Sequence, residues 1–390
     1  METDVLVIGA GATGIFTALD LSLRGVKVMV IDKNTIASGT SGHYHGLIHS
    51  GARYAMTDPD SAVECSRESE VLFNMAPFAM NDTGGIFIAT DDDEKYINRF
   101  MDSLEKLNIN HREIPLQDIV KMEPEINHNI KSAVYVKDRV ADPFVLLGGA
   151  AMLAHEHGCK FILNKNVSAI NENIVKANNV DIKCKYIINA TGPYADKIAK
   201  LAKIDIKDVM PTLGIMIVYN KIFINHVINR MRLPSDGDIF LPFWNVSILG
   251  TTAKLTEDLD NIVIEEEDIK DLIEEGSAII PDLQNKNYSR YYYSSRPLIR
   301  DKDTRKSTRG YTIIDNDPVI TIIGGKFTTA RLIGEKIADY VTEKMDVDRQ
   351  SITTSQLLPD PYSLVSNDSI SSEKLIHRLA VSELEKRLLL

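Results

Sequence analysis

Three cysteines in 390 residues are few, and Cys65, Cys159 and Cys184 are far apart and odd in number. That excludes a disulfide frame and offers no zinc or iron–sulfur spacing; the thiols read as buried and inert in a reducing cytoplasm. No uninterrupted apolar run approaches the roughly 20 residues that span a bilayer. Positive charge is also short. With 44 Lys and Arg against 55 Asp and Glu, the net charge is −11, which argues against nucleic-acid binding because a phosphate backbone needs a basic face. The first residues run straight into a strand pattern, not into a cationic-then-apolar leader. The sharpest absence is local: from Asn34 to Thr57 there is no Asp or Glu. Within that span, "SGHYHGLIHSGARYAM" concentrates three histidines, an arginine and tyrosines among glycines. Such a segment donates hydrogen bonds and favours anions.

What is present upstream explains where that segment sits. "DVLVIGAGATGIFTALDLSLRGVKVMVIDK" reads as strand, glycine turn, helix and second strand in order. Val5 to Ile8 is continuously apolar, as a strand buried on both faces of a parallel sheet requires. In the G-x-G-x-x-G of Gly9, Gly11 and Gly14, the first glycine permits the tight turn. The second lets backbone approach a pyrophosphate, and the third lets the helix lie on the strand. Asp32 closes the second strand with a carboxylate able to accept ribose hydroxyls. This is a dinucleotide site. Two later strand-to-helix turns turn the choice from NAD toward FAD: "NATGPYAD", with Thr191 and Gly192, and "GGKFTTAR", with Gly324, Gly325, Lys326, Phe327 and Thr328. The second places a lysine at a helix N-terminus, where negative charge on a reduced flavin is stabilised.

The α/β pattern occupies residues 1–80, 141–205 and 295–345, read as one discontinuous FAD-binding domain. Residues 81–140 and 206–294 are richer in strands and read as an antiparallel-sheet cap over the substrate. The acidic run beginning at Asp91 reads as a solvated face. Residues 346–390 read as a linker and a C-terminal helix with Leu375, Leu379, Leu384 and Leu388 on one face. That helix packs on its own domain, meets a partner or touches a membrane surface, the first two being the preferred readings, and an oligomer is allowed.

An alcohol-oxidising flavoenzyme needs a base for the hydroxyl proton and anchors for the rest of the substrate. His49, Arg53 and Tyr54 supply candidates for both. Arg296, before a proline, and Arg309, before a glycine, form a second cationic segment, and two arginines in one pocket would select a dianion. Residue chemistry leaves the anion and the base unnamed.

Together "HGLIHSGARYA", "NATGPYAD", "ILGTT", "SSRPLI", "TRGYTI" and "GGKFTTAR" resemble the FAD-dependent glycerol-3-phosphate dehydrogenases, especially the catalytic subunit of the anaerobic enzyme. The resemblance implies a Rossmann-like FAD domain of the glutathione-reductase and D-amino-acid-oxidase type with the cap described. It implies oxidation of sn-glycerol 3-phosphate to dihydroxyacetone phosphate by hydride transfer from C2 to flavin N5. Electrons then pass to quinone or to a partner subunit, in the cytoplasm or peripherally on the cytoplasmic face of the membrane. It places Arg53, Arg296 and Tyr54 on the phosphate, with Arg309 in a matching segment. His49 falls at the reacting hydroxyl, and Lys326 and Thr328 between flavin and substrate. Gly9, Gly11, Gly14, Asp32, Lys33, Ser41, Gly42, Val167, Thr191, Gly192, Gly324, Gly325, Lys326, Phe327 and Thr328 are implied to hold FAD. His43 and His45 stay unassigned. The rival readings are an L-2-hydroxyglutarate or other 2-hydroxyacid dehydrogenase of the same fold, and a flavin subunit that only relays electrons.

Overall fold

In a computed structural model, which describes residues 1–206, 209–256, 258–299, 310–364 and Leu384, Val5–Ile8 runs near the middle of a six-stranded sheet. Its order is Tyr311–Asn316, Val319–Gly324, Tyr186–Asn189, Val5–Ile8, Val28–Ile31 and Lys160–Ile162. All pairs are parallel except the outer Tyr311–Asn316 and Val319–Gly324 hairpin. The alternation of side chains explains why every position is apolar. Val5 and Val7 face helices Ala12–Leu23, Pro143–Glu156 and Ala330–Lys344, while Leu6 and Ile8 face a three-stranded meander through Val167, Ile170, Val175 and Ile182. Both faces are covered, so no polar position survives in the strand.

A second, nine-stranded sheet is drawn from residues 85–136 and 209–299. It is antiparallel throughout except at one joint. There Gly85–Ala89, from the first excursion of the chain, lies parallel to Val227–Arg230, from the second. The all-antiparallel expectation fails at that joint because two separate excursions meet there side by side, with no hairpin to set their direction. Strand Arg290–Ile299 pairs with Val209–Tyr219 over its full length, so it runs through the boundary expected at residue 295. The acidic run is also more than a solvated face: Asp93 is buried and accepts two bonds from Arg230, both at 2.9 Å. A small third sheet, joining Leu47–Ile48 and Met80–Asn81 to Arg139–Ala141, connects the two larger ones. Of residues 365–390 only Leu384 lies within the described residues, so the expected C-terminal helix with Leu375, Leu379 and Leu388 falls outside them; Leu384 is buried, with its side chain against Gly148.

Candidate active site

The carboxyl ends of the parallel strands and the second sheet enclose a cleft of about 1190 Å³. Ligands of open α/β sheets bind at that end of the strands. At one end of the cleft the donors are backbone. Gly9 turns the chain with φ +111°, and a Cβ there would lie 2.5 Å from the Ala190 carbonyl oxygen. Gly11 precedes helix Ala12–Leu23, and the Ser41 hydroxyl accepts the Ala12 N–H at 2.9 Å. Asp32 accepts the Ala10 N–H at 2.7 Å through one oxygen and the Asn34 N–H at 2.8 Å through the other, which fixes its carboxylate at the cleft wall. The Lys33 ammonium lies 3.7 Å over the Tyr194 ring. Val167, Thr191 and Gly192 line the same end, with the Thr191 hydroxyl donating to Asn189 at 2.7 Å. Gly14 and Gly42 do not line the cleft. Gly14 sits where helix crosses turn, a Cβ there falling 1.9 Å from the Gly9 oxygen, and Gly42 packs on Ala37 and Phe144. They shape the wall from behind.

The other end is made of side chains. His49 is buried, its backbone N–H donates to Thr328 Oγ1 at 3.1 Å, and its Nε2 lies 3.4 Å from the Tyr54 hydroxyl. Lys326 Nζ donates to Ser61 Oγ at 2.7 Å and sits 4.7 Å over the Tyr54 ring. Gly324 and Gly325, at φ +89° and +85°, bend the chain so that Lys326, Phe327 and Thr328 all reach the cleft. Phe327 stacks on Tyr44, with centroids 4.6 Å apart and planes 16° apart. Arg296 lines the opposite wall, donating from Nη2 to the Thr252 carbonyl at 2.5 Å. Arg53 stands just behind the wall: Nη1 donates to Asn229 at 3.4 Å, and Nη2 lies 3.5 Å from Asp238. Asp238 itself is held closer by Arg232, at 2.7 Å. Arg309 lies outside the described residues.

Burial sets the electrostatics here. Loss of hydration, followed by the fields of Arg53 and Arg296, pushes His45 down to about 3, so its ring is neutral at physiological pH. Burial likewise raises the carboxyls of Asp138 and Asp238, against which the nearby arginines work in the opposite direction. Sequence reasoning missed Tyr44, Asn229 and Asp238. Tyr44 stood inside the acid-free stretch and could have been found there. Asn229 and Asp238 lie 176 and 185 residues from Arg53, and no local pattern announces them.

The geometry fits an extended dinucleotide: a glycine turn closed to any Cβ, a fixed carboxylate at the ribose position and a long cleft with a cationic far end. Among the described residues no group of three or more His, Cys, Asp or Glu is arranged to hold a metal, and no helix is long and apolar enough to cross a membrane. The family model described as FAD dependent oxidoreductase (DAO) matches residues 4–340, and the chain belongs to that FAD-dependent family. It is 34% identical over 382 residues to one subunit of the anaerobic glycerol-3-phosphate dehydrogenase of Haemophilus influenzae, covering 92% of this chain and 68% of that one. The corresponding protein of Escherichia coli K12 is 33% identical, with 92% and 70% covered, so the chain spans about two thirds of the length of these relatives. These identities place it within the family among the flavin-linked glycerol-3-phosphate dehydrogenases of the anaerobic type. In fold it is similar to the FAD-bound L-alpha-glycerophosphate oxidase of Mycoplasma pneumoniae. There the TM-score is 0.75 and the identity 21%, with 88% of this chain and 95% of that one covered. It is also similar to the glycerol-3-phosphate dehydrogenase of Bacillus halodurans complexed with FAD. That match has a TM-score of 0.72 and an identity of 20%, with 92% and 68% covered.

Proposed function

We propose that this chain oxidises sn-glycerol 3-phosphate to dihydroxyacetone phosphate and delivers the electrons to a quinone or an electron-accepting partner subunit. The observation that carries this reading is the convergence, in the cleft of the glycine turn, of His49, Tyr54, Lys326 and Thr328 with a wall bearing Arg296. FAD, when bound by the backbone end of the cleft, supplies the hydride acceptor. Arg296 and Tyr54 on the cleft wall, with Arg53 reaching in from behind it, bind the phosphate, since fork-like guanidinium donors match a tetrahedral oxyanion. His49 receives the proton of the C2 hydroxyl on Nε2; its backbone bond to Thr328 keeps the ring facing the cleft. Lys326 stands between the two ends, its ammonium steadied by Ser61. The second sheet acts as the substrate cap and excludes water from the reacting carbon. The relatives are named as subunits of an enzyme, which supports a partner protein; on this reading the chain works in the cytoplasm or against the cytoplasmic face of the membrane.

Anaerobic addition of glycerol 3-phosphate to the yellow holoprotein tests the reading, with bleaching of the visible flavin band expected. No bleaching with glycerol 3-phosphate, together with bleaching by L-2-hydroxyglutarate, would transfer the assignment to the 2-hydroxyacid dehydrogenases.

A further inference from the structure

His45 lines the cleft, yet neither the glycine fingerprint nor the proposed chemistry uses it. Its Nδ1 accepts the backbone N–H of Leu47 at 3.1 Å. An amide nitrogen only donates, so Nδ1 carries no proton, and the neutral ring must hold its proton on Nε2. The ring stands edge-on to His49, with centroids 6.2 Å apart at 87°, and 5.6 Å from the Tyr44 ring. Arg53 and Arg296 both act on it electrostatically, one from behind the wall and one from the wall itself. A protonated histidine there would be a third cation repelled by the other two. A neutral ring adds a donor without that repulsion.

We propose that His45 donates its Nε2–H to an anionic oxygen of the substrate held between Arg53 and Arg296. It thereby acts as an uncharged third donor and not as an acid or a base. The inference rests on the reading of the two arginines as the phosphate site. It makes Leu47 the residue that sets the tautomer. With Nδ1 occupied by a backbone donor, the proton of the neutral ring has only Nε2 to occupy, and that N–H is the one left for the anion.

Two substitutions separate this role from a purely structural one. In H45N the amide oxygen can still accept the Leu47 N–H, but nothing reaches the position of Nε2. In H45Q the amide nitrogen reaches the position of Nε2, while the Leu47 N–H loses its acceptor. Steady-state oxidation of glycerol 3-phosphate by the FAD-loaded protein, with an artificial dye as acceptor, reads both. We expect H45N to raise KM about tenfold or more, the loss of one hydrogen bond to a charged group, with kcat within about threefold. We expect H45Q to raise KM by less than about threefold. The opposite order, or an unchanged KM in H45N, overturns the proposal. Should either variant lose FAD, 15N NMR of histidine-labelled holoprotein decides instead. The proposal requires a His45 signal with Nε2 protonated and Nδ1 bare, shifting on titration with inorganic phosphate. An Nδ1–H tautomer, or no shift, overturns it. That titration does not depend on turnover, so it still reports if the wild-type flavin is not bleached by glycerol 3-phosphate.

Discussion

Beneath the helices, Arg331 donates to both oxygens of Glu68, at 2.7 and 2.8 Å, and both residues are sealed from solvent. It also bonds Thr353 and Glu335. Beside the cleft, Arg53 reaches its two partners only at 3.4 and 3.5 Å, and the nearer claim on its carboxylate belongs to Arg232. Arg230 follows the first pattern, with both contacts to buried Asp93 at 2.9 Å; Arg139 is buried as well, but its carboxylate partners Asp82 and Glu70, at 2.9 and 3.0 Å, are partly exposed. The difference teaches how one side chain serves two ends. A guanidinium whose donors are spent on short, buried carboxylate bonds pins helices together and can bind nothing else. One that is held long, by groups with stronger ties elsewhere, keeps its capacity for an incoming anion.

Glu68→Ala should break that contrast most severely. It removes the buried, doubly bonded carboxylate partner of Arg331 between helices Pro59–Met75 and Ala330–Lys344 and leaves the Glu335 ion pair, so it should cost ~3 kcal/mol of unfolding free energy, read by urea titration of the holoprotein. A loss under ~1 kcal/mol would mean that the pair is not the clamp described. Arg53→Ala should do the reverse. KM for glycerol 3-phosphate should rise about 10- to 100-fold while FAD stays bound and stability scarcely moves, because Asp238 keeps Arg232. Loss of flavin or of fold in that variant would put Arg53 with the structural arginines. The third test concerns pH. His45 is pushed down to about 3 when folded, so below its ordinary value near 6.5 the unfolded chain binds a proton that the folded chain refuses. Stability must therefore fall with acidification across that window through this group. Urea titrations from pH 6.5 down to 4 should show a steeper loss in the wild type than in H45Q. Parallel slopes would show that the ring takes up a proton between its arginines.

The backbone end of the cleft was legible in the sequence because its physics is local. Gly9, Gly11 and Asp32 act within one strand–turn–helix–strand unit, and the order of residue types encodes the geometry. Gly14 and Gly42 show the edge of that legibility, since a required glycine does not reveal whether a ligand or a neighbouring chain segment demands the space. The side-chain end was legible only in part. His49 and Tyr54 declare themselves by type and by the missing acids around them. Whether Arg53 faces the cleft directly depends on Asn229 and Asp238, which arrive from a distant excursion of the chain. The exposed look of the "DDDE" run misled for the same reason: the partner of Asp93 is Arg230, 137 residues on. A periodicity argument cannot see a contact made at that range.

The parallel joint between Gly85–Ala89 and Val227–Arg230 also has a bearing on how the chain folds. Across it Arg230 bonds Thr90, 140 residues away in sequence, and the chain between the two excursions supplies strands Lys160–Ile162 and Tyr186–Asn189 of the parallel sheet. Closing so long a loop is entropically slow, and pairing at such separation is rewarded late. The glycine turn and Asp32 of the nucleotide end, contained in the first strands and helix, therefore have the means to form early, while Val167, Thr191 and Gly192 join them later and the anion end must wait for the second sheet to zip. Flavin present during refolding would meet a protein whose glycine turn and Asp32 are in place before Asn229, Asp238 and Arg296 arrive at the anion end.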